Sequence, residues 1–214
     1  MSKLGGVDRN LKRVGDVPSA PSGGLTRVGD VPAATPKLKK VGEVPVVWRD
    51  FWAEDYNADA KIPMEERLSH FEKAQDIKVT KQVEDSADYA VNSGAFDNEL
   101  KSLGLDKKDL IKGLIDISKV ESGGGNLPKE KQVSSGMAQG LWQLIEPSAR
   151  SVLNNGQFGK KAANASGIPL EELKAMSKEE LRDVLLNNDN LNALFAAALV
   201  VQKFQHKRNK GSGS

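Results

Sequence analysis

One glutamate stands where the sequence indicates that an amphipathic helix ends beside a glycine-rich loop. Leu114, Ile117 and Glu121 recur at the three-to-four-residue spacing of one helix face, and glycines follow at 123–125. Partial burial and the negative end of the helix would both favour the protonated carboxyl group, which suits a general acid. The alternative interpretation is a glutamate that caps the helix or forms an ion pair there.

A second polar segment follows the glycines and could face this carboxyl group. Residues 134–143 read Ser-Ser-Gly-Met-Ala-Gln-Gly-Leu-Trp-Gln. Glycine lets the backbone approach a ligand closely, and the Ser134 hydroxyl and the Gln143 amide can hydrogen-bond to that ligand. We predict a loop with at most one minor hairpin over 122–135, followed by a helix that opens at Gln139-Gly140. Together the two segments predict a cleft that holds a single acid.

Composition excludes several other kinds of site. The chain has no cysteine, which removes disulfides and thiol nucleophiles, and it has only two histidines. His70 and His206 lie far apart in unlike contexts, so they cannot supply the three or four ligands of a zinc site. Neither histidine accompanies the sequence pattern of a nucleophilic serine. We therefore predict neither a metal nor any other cofactor.

Net charge and hydropathy limit the partners. The formal net charge of +2 is too small to indicate nucleic-acid binding. No apolar run approaches the roughly 18 residues that a membrane-spanning helix needs. The first residues also lack the apolar core of a signal peptide. The sequence therefore predicts no nucleic-acid partner and no transmembrane segment.

Three copies of one octamer lie within residues 1–47. The pattern Leu-x-x-Val-Gly-Asp/Glu-Val-Pro occurs at 11–18, 25–32 and 38–45, separated by short spacers rich in Ser, Pro, Ala and Gly. Such a unit is too small to bury its own valines, and its proline ends any helix or strand. We interpret residues 1–47 as a flexible tail with three docking motifs, each adding an extended segment to a partner. The alternative is a plain linker.

Aromatic residues mark the start of a folded domain that we predict to be mainly α-helical. Trp48, Phe51 and Trp52 are interpreted as an anchor in the core rather than a platform for sugar stacking. Residues 48–104 are predicted to form an N-terminal helical part, and residues 105–210 a helical core. The segment from Leu191 to Val201 is apolar nearly all round, which predicts a central buried helix.

The core segment resembles the soluble lytic transglycosylases, which are relatives of goose-type lysozyme. In that family a Glu-Ser pair ends a helix, and a Ser-x-x-Gly-Ala-x-Gly-Leu-Met-Gln segment lines the opposite wall of the cleft. The resemblance covers roughly 105–205, and these residues carry it: Glu121-Ser122, Ser134, Ala138, Gly140, Leu141, Gln143, Ser148-Ala149 and Asp189-Asn190.

This chain departs from the family pattern at three points. Met137 stands where the family has a glycine, and Pro147 is displaced by one residue. The family's later Ala-Tyr-Asn-Ala-Gly segment, which brings a tyrosine to the site, has no counterpart. Either the N-terminal aromatic residues or Tyr89 take the place of that tyrosine, or the site is more open. The tail repeats and the size also resemble virion-borne phage lysins, such as those of enveloped double-stranded RNA bacteriophages (cystoviruses).

The resemblance implies a lysozyme-like fold and a peptidoglycan-degrading enzyme, a murein lytic transglycosylase. Glu121 would be the single acid/base that cleaves the MurNAc–GlcNAc β-1,4 bond and leaves a 1,6-anhydro product. The resemblance further implies that Ser134, Gln143, Ser122 and Gly140 bind the glycan strand. It implies a lysin carried on the virion, with the tail on a shell protein, that acts in the host periplasm and cell envelope during entry and lysis.

Two alternatives stay open at this stage. A hydrolytic muramidase would need a second carboxylate, for which Asp116 and Glu146 are the candidates. A virion structural protein with a degenerate transglycosylase fold would bind glycan, or a shell protein, without cleaving it. The absent tyrosine segment favours the structural protein, whereas Glu121, Ser134 and Gln143 favour the enzyme.

Overall fold

The computed structural model describes residues 47–56, 62–132 and 138–211, which all belong to one compact unit, 39–214. These residues are mainly α-helical, as the sequence predicts, and the described ranges contain no β-strand. A π-helical turn covers Trp52–Tyr56, and a short 3-10 turn covers Lys129–Lys131. The α-helices of the described ranges are α1 Trp48–Phe51, α2 Met64–Ala74, α3 Lys81–Asn92, α4 Asp97–Leu103, α5 Lys107–Ser122, α6 Glu146–Asn154, α7 Gly156–Ser166, α8 Leu170–Ala175, α9 Lys178–Asn187 and α10 Asp189–Gly211.

The last helix, α10, runs through the middle of the core. Its residues from Leu191 to Val201 are all buried, which confirms the central helix predicted from its apolar composition. Helices α3, α6, α7 and α9 all pack against α10. A helix that is covered on every side needs apolar residues on every side, so the composition of α10 follows from its place.

Aromatic side chains before α2 fasten the start of the domain to this core. Trp48, Phe51 and Trp52 are all buried, which confirms the predicted anchor. Phe51 stacks on Phe204 of α10 with ring centroids 4.3 Å apart. The Trp48 ring lies directly over Gly113 of α5, where a Cβ would come within 2.3 Å of it. Only glycine leaves room for that ring, so Gly113 sets the approach of the N-terminal segment to α5.

Local sequence signals fix both ends of α5, the helix that carries Glu121. Asp106 caps the first turn and pairs reciprocally with Asp109 in a capping box, as its position predicts. At the other end the backbone turns left-handed at Gly123, with φ of 61°, which ends the helix. Glu121 therefore occupies the last turn of α5, as the periodicity predicts.

The segment after α5 differs from its prediction. Ser122 ends α5, and residues 123–132 form turns and the short 3-10 turn, so the minor hairpin is not found in the described part of 122–135. The prediction that a helix opens at Gln139-Gly140 is wrong, because α6 begins at Glu146. Gln139 and Leu144 instead close a tight turn through an isolated antiparallel bridge. Ser134 and the tail, 1–46, lie outside the described residues.

Within the described ranges, no helix by itself has the length and hydropathy to cross a membrane. Taken together, the helices Lys178–Asn187 and Asp189–Lys210 have that length and hydropathy, but the two helices meet at a bend of 105°.

Candidate active site

Glu121 lies half-buried in the last turn of α5, beneath the N-terminal aromatic segment. The indole nitrogen of Trp52 donates a hydrogen bond of 2.7 Å to the Oε1 atom of Glu121. These two residues are 69 positions apart in the sequence. The acid predicted from helix periodicity is therefore held by an aromatic donor from another part of the chain.

Trp52 is itself held firmly in the π-helical turn. Its side chain is buried, and its ring lies 5.7 Å from that of Phe71 on α2 at a tilt of 44°. The next carbonyl, of Ala53, accepts a hydrogen bond from the buried Arg67 guanidinium. Lys203 on α10 donates to the carbonyl of Asp55. Because side chains of α2 and α10 both hydrogen-bond to carbonyl groups of this turn, the Trp52 indole N–H has a fixed direction.

Tyr56 at the end of the same turn brings a phenol close to the acid. Its hydroxyl donates a hydrogen bond of 2.9 Å to the carbonyl of Trp142. Burial, and then the nearby charge of Glu121, raise the pKa of the Tyr56 phenol well above its usual value of 10.0. Tyr56 therefore stays protonated and remains a hydrogen-bond donor at neutral pH.

The turn Gln139–Leu144 is held shut at its base and from below. The Gln139 nitrogen donates to the Leu144 carbonyl at 2.9 Å, and the Leu144 nitrogen donates back at 3.0 Å. Asn192 of α10 is fully buried beneath the turn. Its amide nitrogen donates to the Gln139 carbonyl at 3.0 Å, and its amide oxygen accepts from the Trp142 nitrogen at 3.0 Å. The bond to Asn192 gives the buried Trp142 nitrogen an acceptor, and the Gln139 carbonyl gains a second donor beside the Leu144 nitrogen.

Ser122 joins the end of α5 to this turn. Its side chain is fully buried, and the single hydroxyl proton is shared between the Leu141 carbonyl at 2.8 Å and the Ser118 carbonyl at 3.1 Å. The hydroxyl oxygen also accepts from the Gly125 nitrogen at 3.2 Å. Because Ser122 is buried and its hydrogen bond to Leu141 holds the turn beside Glu121, a structural role for Ser122 is favoured over the predicted contact with substrate.

Gln143 lies on the partly exposed side of the turn, whereas Gly140 is buried against Asn192 and Leu185. Gln143 has a left-handed backbone with φ of 47°, which is uncommon for a residue with a side chain. Its amide nitrogen donates to the Gln132 carbonyl at 2.6 Å and to the Gly140 carbonyl at 2.9 Å. Both amide hydrogens are therefore used within the protein, and the amide oxygen is the group suited to a ligand. Gly140 is also left-handed, with φ of 75°.

The two other carboxylates considered from the sequence are bound in ion pairs. Asp116 is buried on α5 between Lys112 and Lys119, and the Lys119 ammonium lies 3.5 Å from its Oδ1 atom. Arg150 donates from Nε to the Oε1 atom of Glu146 at 2.9 Å. Each of these carboxylates thus has a cationic partner within the protein.

Sequence reasoning offered the N-terminal aromatic residues for the site only as a group, and it did not assign Tyr56 or Asn192. Among these aromatic residues, Trp52 bonds to Glu121. Tyr89 donates instead to the Ala165 carbonyl of α7. A usable signal was the density of aromatic residues at 48–56, whereas nothing in the sequence indicated which of them approaches Glu121.

Two cavities lie elsewhere, along the C-terminal half of α10. One, of about 370 Å³, is lined mainly by polar residues of α6 and α10, and the other, of about 260 Å³, lies between α10 and the π-helical turn. Glu121 lines neither of them. Within the described ranges, no three His, Asp or Glu side chains come together as a metal site.

Neither a protein-family model, nor a curated protein, nor a solved structure matches this chain.

Proposed function

We propose that this chain is a murein lytic transglycosylase with a lysozyme-like fold, and that Glu121 is its acid and base. The observation that carries the proposal is the placement of Glu121. It is half-buried at the end of α5, held by the Trp52 indole, and tied through Ser122 to the turn at 139–144. A carboxyl group in such an aromatic, partly buried setting can donate a proton to a glycosidic oxygen.

A single carboxyl group can complete the proposed reaction. Glu121 donates its proton to the glycosidic oxygen as the bond from that oxygen to C1 of MurNAc breaks. The C6 hydroxyl of the same MurNAc then attacks C1, and its proton returns to the Glu121 carboxylate. The products are a new GlcNAc end and a 1,6-anhydro-MurNAc end. No water is consumed, and the acid is regenerated.

The ion pairs of the other two carboxylates favour this lyase reaction over hydrolysis. A hydrolytic muramidase uses a second carboxylate to activate water or to attack the sugar. Asp116 and Glu146 are each held in an ion pair by a lysine or an arginine, so their carboxylate oxygens already have partners within the protein. The intramolecular C6 hydroxyl removes the need for either of them.

Glycan binding is assigned to the groups on the rim of the turn. The Gln143 amide oxygen would accept a hydrogen bond from a sugar hydroxyl or acetamido group, because both hydrogens of its nitrogen are used. Gly140 is buried against Asn192 and Leu185, so in this proposal it acts by shaping the turn. Ser134 is proposed as a further donor on the basis of the sequence alone. Ser122 acts in this proposal by placing the turn.

The tail is proposed to attach the enzyme to a virion. Its three octamers at 11–18, 25–32 and 38–45 would bind equivalent sites on a shell protein, with affinity gained from repetition. The attached enzyme would then open peptidoglycan in the host periplasm and cell envelope, both during entry and during lysis. The small net charge and the helical domain are compatible with a glycan substrate and equally compatible with a protein partner.

Mass spectrometry of purified sacculi after digestion tests the reaction class. Anhydro-muropeptides are expected if Glu121 works as a single acid and base. Reducing MurNAc ends would instead indicate a hydrolytic muramidase, and free peptides would indicate an endopeptidase. Binding to sacculi without any soluble product would indicate the glycan-binding structural protein.

A further inference from the structure

Trp52 is placed to do more than fill the core above Glu121. Its indole nitrogen lies 2.7 Å from the Oε1 atom of Glu121, although the two residues are 69 positions apart. We propose that Trp52 is a positioning residue that fixes which oxygen of Glu121 carries the catalytic proton. The proposal rests on the function proposed above, because it assigns a role within the same site.

The chemistry of an indole explains how this selection works. An indole N–H is a donor with no acceptor capacity. The carboxyl oxygen that faces it must therefore accept, and the carbonyl oxygen of a carboxyl group is a better acceptor than the hydroxyl oxygen, so this bond favours the proton on the opposite oxygen. In the protonated acid the proton then lies on the other oxygen, Oε2. Oε2 thus becomes the atom that donates to the glycosidic oxygen.

The same bond strengthens as the reaction proceeds. Before proton transfer, the Trp52 N–H bonds to a neutral carboxyl group. Once Glu121 has given up its proton, the bond ends on a carboxylate, and hydrogen bonds to charged acceptors are shorter and stronger. An interaction that is stronger in the transition state than in the ground state raises kcat rather than lowering KM.

The surroundings of Trp52 make it a fixed donor rather than a mobile one. Only 4% of its surface is exposed, and Phe71 packs against its ring. Arg67 holds the carbonyl of the next residue, Ala53. A donor that is already oriented needs no reorganisation when charge develops at Glu121, which is the condition for electrostatic stabilisation.

Trp48 supplies a matched control on the same segment. Trp48 and Trp52 are both buried and belong to the same aromatic anchor, but the Trp48 ring packs over Gly113 of α5. Trp52→Phe removes the N–H and keeps an aromatic ring at the site. Trp48→Phe makes the same chemical change away from the carboxyl group. A purely structural effect should therefore appear in both variants.

The kinetic test uses soluble, peptide-free glycan strands from murein. We expect Trp52→Phe to lower kcat by about 10- to 100-fold, the loss of one hydrogen bond to a charged group, with KM unchanged. Trp48→Phe should retain the wild-type kcat. An unchanged kcat in Trp52→Phe, or equal losses in the two variants, would overturn the proposal.

A spectroscopic test reads the same bond without any activity. The chain has three tryptophans, so its proton–nitrogen NMR spectrum has three indole N–H resonances, and Trp52→Phe identifies the one from Trp52. At an alkaline pH at which Glu121 is ionised, Glu121→Gln replaces a charged acceptor with a neutral one, and it should move the Trp52 resonance upfield while those of Trp48 and Trp142 stay in place. A Trp52 resonance that ignores this change would contradict the assigned bond.

The two tests separate this inference from the function on which it rests. A wild-type chain that releases no anhydro product from glycan would remove the proposed function. A wild-type chain that cleaves normally, together with a Trp52→Phe variant that cleaves at the same rate, would remove only the role of Trp52.

Discussion

Asn192 and Trp142 are joined across the base of the site by a hydrogen bond of 3.0 Å from the Trp142 backbone nitrogen to the Asn192 side-chain oxygen. The same amide group donates to the Gln139 carbonyl at 3.0 Å. One fully buried side chain on α10 therefore determines the shape of a turn about 50 residues earlier in the chain. The turn at 139–144 also contacts the end of α5 through Ser122 and the N-terminal segment through Tyr56.

Replacing Asn192 with alanine should open this turn. The change leaves the Trp142 nitrogen buried without this acceptor and removes one of the two hydrogen bonds that the Gln139 carbonyl accepts, at a cost of about 2–4 kcal/mol in the free energy of unfolding. Urea unfolding followed by circular dichroism measures that loss. Asn190→Ala is the control, since this neighbour on α10 is exposed and its loss should stay within about 0.5 kcal/mol. Equal stabilities for the two variants would contradict the assigned role of Asn192.

Gly140 should not tolerate a side chain. Its backbone is left-handed, and a Cβ at this position would lie 2.8 Å from both the Asn192 side chain and the Leu185 carbonyl. Gly140→Ala is therefore expected to destabilise the chain by about 2–4 kcal/mol, from backbone strain and overpacking together.

Gly156→Ala is the matched control for Gly140→Ala. Gly156 begins α7, and a Cβ there would meet no atom within 4 Å. Alanine at an unstrained helix position is expected to stabilise the chain by about 0.4–1 kcal/mol. Thermal unfolding compares the two variants, and a Gly140→Ala variant as stable as the wild type would show that the turn is not as packed as described.

The ends of the helices could be predicted from sequence because their causes are local. Asp106 with Asp109 and Ser177 with Glu180 form capping boxes whose members are three residues apart. The burial of α10 could also be predicted from the sequence, since the residues from Leu191 to Val201 are apolar on nearly every side of the helix. Such features depend on neighbours within one or two turns of the chain.

The walls of the site could not be predicted, because their causes are distant. The sequence pattern predicts a helix start at Gln139-Gly140, but Asn192 of α10 and the bridge to Leu144 hold it as a turn. No local sequence pattern predicts that Gln139 will accept a hydrogen bond from Asn192, which lies 53 residues away. The bond between Trp52 and Glu121 has the same origin, since it exists only once the N-terminal segment has packed against α5.

Tyr56→Phe should change how stability depends on pH above about 10. Burial and the Glu121 charge raise the pKa of the Tyr56 phenol in the folded chain, so the folded chain holds its proton where the unfolded chain releases it. This contribution to stability is complete below the unfolded pKa near 10 and is lost as the pH rises through the folded pKa. The variant should therefore lose stability less steeply over that range.

Two measurements check this behaviour of Tyr56. The chain has two tyrosines, so subtracting the ultraviolet titration of Tyr56→Phe from that of the wild type isolates the Tyr56 phenol. Urea unfolding at neutral and at alkaline pH gives the corresponding free energies. At neutral pH the variant should lose about 1 kcal/mol with the hydrogen bond to Trp142. A Tyr56 phenol that titrates at its ordinary pKa would contradict its placement beside Glu121.

Deleting residues 1–47 should separate attachment from catalysis. The shortened chain is expected to digest purified sacculi at the wild-type rate and to lose co-sedimentation with virion shells, because the proposed docking motifs lie in the tail. A chain with a tail of the same length, in which serine replaces the repeat valines, controls for length. Loss of digestion in solution, or retained co-sedimentation, would contradict the docking assignment.

Glu121→Gln tests the central assignment most directly. The amide keeps the size of the side chain and can still accept from Trp52, but it has no proton of suitable acidity to give to a glycosidic oxygen. Glu172→Gln makes the same change at an exposed position on α8 and is the control. The measurement is the rate at which anhydro-muropeptides are released from purified sacculi, with circular dichroism confirming the fold. We predict that release is abolished in Glu121→Gln and retained in Glu172→Gln, whereas normal release from a folded Glu121→Gln variant would show that Glu121 is not the catalytic acid.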